Sequence, residues 1–193
     1  MKHFLFLIFS LVFTLGYSQS KWDTSIELDF VFPNQKDYFY NDSDNRIFNT
    51  DLNDSGFLLS SFGLQGNYNY YLFRKLSVGV LGGIQTETKQ NFTMLKLGGI
   101  LRYYFVDRDN VYIYLQNANN FSLNTDKFKS GNNLRLGLGL PFIRRESFSI
   151  TSNLFFEQNY FKLDNAEPLL GFSSERPRSL TVQSIGISLG IKF

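Results

Sequence analysis

The sequence lacks cysteine altogether and has one histidine, His3. A chain without cysteine forms no disulfide and offers neither a thiol nucleophile nor a thiolate ligand for zinc. His3 lies in an N-terminal segment that we expect to be removed, which leaves the mature chain without histidine. Catalysis by Ser-His-Asp or Cys-His sites is thereby excluded. We therefore expect no enzymatic activity, no metal and no cofactor.

Long apolar runs are also missing, except for one near the start, Phe4 to Leu15. This run follows a lysine and precedes Gly16 and Ser18, small residues that fit the cleavage positions of a secretory signal peptide. It is short for a membrane-spanning helix. We expect residues 1–18 to be a signal peptide and residues 19–193 to form one domain. An uncleaved anchor helix is the alternative.

A strong charge of either sign is missing as well, since the formal net charge is +2 at pH 7 and lysine and arginine are scattered. The sequence thus predicts no nucleic-acid partner and no polybasic membrane patch. Aromatic residues, by contrast, make up 18% of the chain. They either fill a core or face something other than water.

What the mature sequence does contain is alternation with a period of two, which predicts β-strands with two different faces. In the terminal stretch "SIGISLGIKF", every second residue from Ile185 to Phe193 is apolar, and the residues between them are small or polar. The same pattern predicts eight strands, at 21 to 32, 56 to 71, 76 to 87, 92 to 105, 111 to 122, 133 to 142, 148 to 162 and 179 to 193.

The connections between these strands have two different lengths. Short charged turns lie around Arg74, from Val106 to Asn110, and from Ile143 to Ser147. The longer, polar connections are Pro33 to Ser55, the region around Lys89 to Asn91, Asn117 to Asn132 and Asp164 to Arg178. An even antiparallel count places the first and last strands side by side, so the sheet can close into a barrel without an exposed edge.

The chemistry of the two strand faces indicates which one meets water. One face is a continuous apolar band, as from Leu134 to Leu140, and it is bordered by aromatics. The other carries charges of both signs among glycines, which we expect to make room for long Arg and Lys side chains. Lipid-facing strands need the apolar band outside, and an eight-stranded lumen is narrow enough for side chains to fill. The charged residues that we place in the lumen are Asp23, Glu27, Asp29, Glu87, Lys96, Arg102, Arg135, Glu157 and Lys192.

The signal peptide, the eight alternating strands, the short turns opposite long loops and the terminal "GISLGIKF" resemble the small outer-membrane β-barrels of Gram-negative bacteria, of the OmpA-transmembrane and OmpX kind. The resemblance covers the mature chain and implies an all-β, eight-stranded antiparallel up-and-down transmembrane barrel with short periplasmic turns and longer extracellular loops. It also implies export through the inner membrane, location among outer-membrane lipids, and transient contact with periplasmic chaperones and barrel-assembly machinery. A secreted, soluble lipocalin-like barrel is the alternative, although its usual opening Gly-x-Trp is missing before Trp22.

The resemblance further implies that the terminal strand is the signal by which assembly machinery recognises its clients. That signal would comprise Ile187, Leu189, Ile191 and Phe193, although Phe193 could equally be an interfacial aromatic anchor. Barrel enzymes of this architecture use a histidine, so none of their sites carries over to this chain. A carboxylate pair such as Glu27 with Asp29 could in principle act as acid and base, but lumenal carboxylates more often pair with basic neighbours.

We expect the lumenal charges to form an ionic plug, since each charge in so narrow a lumen needs a partner. Asp23 opens the first strand and Lys192 closes the last, so these two should meet near the periplasmic rim. A plugged barrel would serve a structural, adhesion or interaction role through its loops at 33–55 and 164–178, which could contact an envelope protein. A narrow channel for a small or amphiphilic solute is the alternative. The expected plug consists of basic Lys96, Arg102, Arg135 and Lys192 and acidic Asp23, Glu27, Asp29 and Glu87.

Overall fold

The computed structural model describes residues 21–52, 61–88, 92–108, 110–124, 128–164 and 166–193 of the chain. The predicted signal peptide and the predicted connection at Lys89 to Asn91 lie outside these ranges. Within them, no helix is long and apolar enough to cross a membrane. The strands are β1 Trp22–Asn41, β2 Ile47–Asp51, β3 Ser61–Phe73, β4 Leu76–Glu87, β5 Phe92–Tyr104, β6 Tyr112–Ser122, β7 Phe128–Arg144, β8 Ser149–Leu163 and β9 Arg176–Lys192.

Eight of these nine strands form a closed barrel. From β3 to β9 each strand pairs antiparallel with the next along the chain, and β1 pairs with both β3 and β9. The seam reaches the last residue, because the Phe193 amide donates to the Thr24 carbonyl (2.8 Å) and the Thr24 amide to the Phe193 carbonyl (3.4 Å). Each strand of the barrel wall is therefore paired on both sides. The predicted all-β, eight-stranded, antiparallel, up-and-down barrel is confirmed.

The first predicted loop, 33–55, is wrong over the part that the structure describes. Instead of ending before Pro33, β1 continues to Asn41 and pairs with β2, so this stretch forms a β-hairpin. The ladder between β1 and β9 shifts register between Pro33 and Gln35. Such a bulge accommodates a residue that has no amide hydrogen to donate, which is why proline does not end the strand here. The last residues of the predicted loop, 53–55, lie outside the described ranges.

The hairpin turns through residues 42–45, and its own polar groups hold the turn. The Asn45 amide donates to the Asp42 carbonyl (2.9 Å), and the Asp42 amide donates to the Arg46 carbonyl (3.1 Å). The Ser43 amide donates to the Asp42 carboxylate (2.7 Å), which lowers the pKa of Asp42. Asn45 has a φ of 58°, a left-handed conformation that asparagine tolerates better than most residues. The Asn and Asp content that suggested a loop thus supplies a tight hairpin turn.

Two further connections are shorter than predicted. Of residues 117–132, β6 takes those up to Ser122 and β7 those from Phe128, and β9 begins at Arg176, inside the predicted loop 164–178. Strands β1, β7, β8 and β9 have 15 to 20 residues, whereas β3 to β6 have 11 to 13. We call the barrel end with the β3–β4, β5–β6 and β7–β8 connections the turn end, and the opposite end the loop end. The long strands make one wall taller at the loop end.

Outward-facing side chains form an apolar belt around the barrel. Leu64 on β3, Ile84 on β4 and Leu97 on β5 are 46% to 57% exposed. Phe73 and Phe105 are among the aromatics that border the belt at the turn end. An exposed apolar band of this extent suits hydrocarbon rather than water. The belt consists of Ile26, Leu28, Leu64, Val78, Val80, Ile84, Leu97, Leu101, Ile113, Leu115, Leu134, Leu136, Leu154, Phe156, Ile185, Ile187, Leu189 and Ile191.

Candidate functional site

Inward-facing side chains alternate with the belt and fill the lumen in three layers. A tyrosine layer at the turn end consists of Tyr71, Tyr104, Tyr112 and Tyr114. An ionic layer follows, consisting of Asp23, Glu27, Asp29, Lys96, Arg102, Arg135, Glu157 and Lys192, all at most 8% exposed. An apolar layer closes the loop end, consisting of Tyr38, Phe92, Met94, Phe128, Phe161, Leu163, Leu180 and Val182.

Arg102, on β5, organises the part of the ionic layer that is nearer the turn end. Its Nη2 lies 2.9 Å from Glu27 Oε1, and its Nη1 lies 3.6 Å from Asp23 Oδ1. Lys192 Nζ lies 3.3 Å from Asp23 Oδ2 and donates to the Tyr71 hydroxyl at 2.6 Å. The first and last strands thus meet through Asp23 and Lys192 at the boundary with the tyrosine layer.

Arg135, on β7, organises the other part of the ionic layer. Its Nη1 lies 2.7 Å from Asp29 Oδ2, and its Nη2 lies 2.8 Å from Glu157 Oε2. The guanidinium carbon lies 3.8 Å from the centre of the Phe155 ring. Lys96 Nζ lies 3.4 Å from Glu157 Oε2. Because a guanidinium presents a planar fork of donors, Arg135 ties carboxylates on two other strands together, β1 and β8.

Amide side chains that were not predicted from the sequence complete the ionic layer. Asn67 Nδ2 donates to Glu27 Oε1 (2.8 Å), and Asn153 Nδ2 donates to Glu27 Oε2 (3.1 Å). Asn133 Nδ2 donates to Glu157 Oε2 (3.2 Å). Buried carboxylates need several donors, and these amides supply them. Their inward position follows from the same two-residue period, which is the signal that could have revealed them.

Glu87 is the residue of the expected plug that lies outside the ionic layer. It ends β4, where it pairs in register with Phe92. Its carboxylate accepts a hydrogen bond from Gln85 Nε2 at 3.3 Å. Glu87 therefore lies at the boundary with the apolar layer, whereas the other seven expected plug residues lie in the ionic layer. Glu27 and Asp29, considered above as an acid and base pair, are bound by different arginines.

The inward glycines have a different role from the one predicted. A Cβ atom on Gly139 would overlap the Tyr112 ring, and one on Gly186 would overlap the Phe155 ring. Each glycine lies directly opposite its aromatic partner on the neighbouring strand. The prediction that the glycines make room for Arg and Lys is therefore wrong at these positions. The rings lie across the neighbouring backbone, as aromatic side chains do opposite glycine in sheets, and the arginines extend into the lumen instead.

The apolar layer at the loop end was not predicted. The rings of Phe92, Phe128 and Phe161 pack with their centres 5.0 to 6.2 Å apart. On β9, Leu180 and Val182 point inward and are buried. A change in the alternation along β9 could have revealed this layer. Apolar residues stand at even positions up to Val182 and at odd positions from Ile185.

The described part of the β8–β9 connection, residue 164 and residues 166–175, folds onto the apolar layer. Leu170 packs against the layer. The Glu175 carboxylate accepts hydrogen bonds from the Tyr38 hydroxyl and from the Leu169 (2.8 Å) and Leu170 (3.1 Å) amides. One buried carboxylate thus links the connection to β1. The connection therefore covers the apolar layer at the loop end.

A small cavity beside the ionic layer, lined in part by Asp29, Gln65 and Lys96, has no room for a water molecule. Among the residues that the structure describes, no group of three or more His, Cys, Asp or Glu side chains could hold a metal ion. What the arrangement does chemically is link distant strands through paired charges.

The C-terminal residues Ile187, Leu189, Ile191 and Phe193 face outward and are 43% to 57% exposed.

No protein-family model matches the sequence, and no curated protein matches it either. Among solved structures, outer membrane protein AlkL, determined by solid-state NMR in DMPC lipid bilayers, is 13% identical, with 92% of this chain and 90% of AlkL covered and a TM-score of 0.51. Outer membrane protein OprG from Pseudomonas aeruginosa is 11% identical, with 92% of this chain and 98% of OprG covered and a TM-score of 0.50. This chain therefore has the fold of small outer-membrane β-barrels, and the predicted resemblance is confirmed at that level.

Proposed function

We propose that this chain is a non-enzymatic, integral β-barrel of the outer membrane with a plugged lumen, and that its loop end is the surface that meets other envelope components. The observation that carries the proposal is the filling of the lumen by the tyrosine, ionic and apolar layers in succession. Arg102 and Arg135, which extend into the lumen, are 2% and 0% exposed. Location in the membrane is supported by the apolar belt with its aromatic border. The proposed barrel has its short connections in the periplasm, so the turn end is periplasmic and the loop end is extracellular.

The non-enzymatic part of the proposal is supported by the state of the lumenal carboxylates. Glu27 is bound by Arg102, and Glu157 by Arg135 and Lys96. The oxygens of these carboxylates already accept hydrogen bonds from cations and amides, whereas a general base must be within reach of a substrate proton. These carboxylates are therefore suited to linking strands rather than to catalysis.

The interaction role is supported by apolar side chains that are exposed beyond the belt. On the β1–β2 hairpin, Ile47 is 60% and Phe48 41% exposed, and on the β8–β9 connection Phe172 is 60% exposed. The Phe48 ring stacks on Tyr40 with centres 5.6 Å apart. Exposed aromatic residues of this kind favour contact with a partner protein. The contact surface is thus a raised hairpin and the connection beside it rather than two long loops.

The C-terminal strand is, in this proposal, the segment that barrel-assembly machinery and its chaperones recognise during export. Its support is the outward orientation of Ile187, Leu189, Ile191 and Phe193 and the location of Phe193 at the seam, opposite Thr24. An interfacial anchor for Phe193 uses the same position, so the two roles are compatible.

Single-channel conductance of the refolded chain in a planar bilayer tests the plugged lumen. The parent should be silent, and the double variant Arg102→Ala/Arg135→Ala should show discrete steps, because it removes the two largest side chains of the ionic layer. Arg144→Ala/Arg145→Ala, which removes the same charge from an exposed turn, is the control and should stay silent. A heat-dependent gel mobility shift establishes that each variant has folded as a barrel. Steps in the parent would replace this proposal by the narrow-channel alternative.

A further inference from the structure

The fold gathers basic residues at the turn end that are far apart in the sequence. Six basic residues occur in the turn segments and at the start of β1, against three acidic residues, Asp107, Asp109 and Glu146. Spacing along the chain gave no indication of a polybasic patch, because each turn contributes only one or two of them. We call the six together the basic rim: Lys21, Arg74, Lys75, Arg108, Arg144 and Arg145.

Contacts between neighbouring turns make the basic rim continuous. Lys75 Nζ, in the β3–β4 turn, donates to the Phe105 carbonyl (2.9 Å). Arg144 Nη2, at the β7–β8 turn, donates to Asn110 Oδ1 (3.4 Å). The Arg108 guanidinium lies 4.4 Å from the centre of the Tyr71 ring, at the end of β3. The β5–β6 turn therefore contacts each of the other two turns at the barrel opening.

Most of the charge of the basic rim is exposed to the surroundings. Lys21, Arg74, Lys75, Arg144 and Arg145 are all exposed. Lys75 and Arg144 donate their hydrogen bonds to a carbonyl and an amide oxygen, which are neutral. The positive charge of these side chains is therefore available to an anionic partner.

The position of the basic rim relative to the apolar belt indicates which anionic partner it meets. Phe73, which directly precedes Arg74, is 70% exposed, and Phe142, close to Arg144, is 58% exposed. These aromatics border the belt, so the basic side chains lie one step beyond the hydrocarbon-facing surface. In a bilayer that is the depth of the lipid phosphates, which arginine and lysine bind well.

We propose that the basic rim binds the phosphate groups of anionic phospholipids in the leaflet that surrounds the turn end. The inference rests on the proposed insertion into a membrane. The β1–β2 hairpin at the loop end has the opposite balance, since residues 37–51 carry Asp37, Asp42, Asp44 and Asp51 against one basic residue, Arg46. We therefore expect the preference for anionic lipid at the turn end and not at this hairpin.

Trp22 provides a built-in probe of the lipids at the basic rim. It is the only tryptophan of the chain. It follows Lys21 directly, is 42% exposed, and stacks on Tyr68 with ring centres 4.8 Å apart. Brominated lipids quench tryptophan on contact. The full chain would be refolded into phosphatidylcholine vesicles that contain the same small fraction of brominated phosphatidylglycerol or brominated phosphatidylcholine. The ratio of the two quenching efficiencies gives the relative association of anionic lipid near Trp22.

Two matched triple variants separate the basic rim from charge in general. The rim variant is Lys21→Gln/Arg74→Gln/Arg145→Gln, whose side chains make no hydrogen bond or ion pair within the described residues. The control is Arg46→Gln/Arg176→Gln/Arg178→Gln at the loop end, which removes the same charge.

The parent and the control should prefer brominated phosphatidylglycerol about fivefold, and the rim variant should show a ratio near one. Added salt should weaken the preference of the parent. Equal ratios in the parent and the rim variant would overturn the inference while leaving membrane insertion intact. If neither lipid quenched Trp22 and the heat-dependent mobility shift were absent, membrane insertion itself would fail, and this inference with it.

Discussion

In the ionic layer the barrel holds charged side chains behind an apolar outer surface, whereas in the apolar layer it holds aromatic and aliphatic side chains behind a polar outer surface. Strand β9 contains both arrangements. At the height of the ionic layer it points Ile187 outward and Ser188 inward, and nearer the loop end it points Val182 inward and Gln183 outward. The same strand thus reverses its apolar face within a few residues.

The reversal of the apolar face along β9 indicates the height at which the surroundings of the barrel change. A strand in lipid gains by exposing its apolar face, and a strand in water gains by burying it. On β8, Phe156 faces outward and is 43% exposed, whereas Phe161 faces inward and is 0% exposed. In the proposed membrane orientation, the boundary between the two layers marks the height at which the tall wall leaves the membrane.

Removing a charge from the ionic layer should have the largest effect. Arg135→Met leaves the Asp29 and Glu157 carboxylates without their shared guanidinium, and an uncompensated buried charge costs about 3–5 kcal/mol. Urea unfolding in lipid vesicles, followed by Trp22 fluorescence, should show this loss. Arg145→Met, on an exposed turn, is the control and should change the free energy of unfolding by less than about 0.5 kcal/mol. Equal effects of the two changes would mean that the ionic layer does not stabilise the barrel.

A cavity in the apolar layer should have a smaller and more local effect. Leu180→Ala removes a buried side chain, which costs about 2–3 kcal/mol at sites of this kind. Because the layer lies beyond the belt, the loss should appear as faster amide hydrogen exchange at residues 176–182, with residues 185–191 still protected. Leu169→Ala, at an exposed position, is the matched control and should leave the exchange of both segments unchanged. Uniformly faster exchange along β9 would show that the two layers unfold as one unit.

The sequence predicted the barrel because its signals are local. A two-residue period specifies a strand, and short charged turns specify antiparallel neighbours, so eight strands and closure followed directly. The extension of β1 was missed because a bulge after Pro33 interrupts the period. The apolar layer was missed because one face was assumed to be apolar over the whole length of each strand.

The pairing of acids with bases in the lumen could not be predicted in the same way as the strands. Arg135 and Glu157 are opposite in register on adjacent strands, but Asp29 reaches Arg135 across the lumen from β1. Such a contact depends on the stagger of the strands around the barrel, which no local pattern encodes. The sequence therefore placed charges in the lumen without specifying which acid meets which base, apart from the pair at the seam.

That pair, Asp23 with Lys192, should show the smallest effect of the three. Both residues have a second partner, since Asp23 also lies 3.6 Å from Arg102 and Lys192 also donates to Tyr71. A double-mutant cycle with Asp23→Asn and Lys192→Met, measured by the same urea unfolding, should give a coupling energy of about 1 kcal/mol, the double variant losing less stability than the sum of the two singles. Additive losses, within about 0.3 kcal/mol, would mean that Arg102 alone balances Asp23. The arginines would then account for the stability of the ionic layer, and Lys192 would serve only to bind the tyrosine layer.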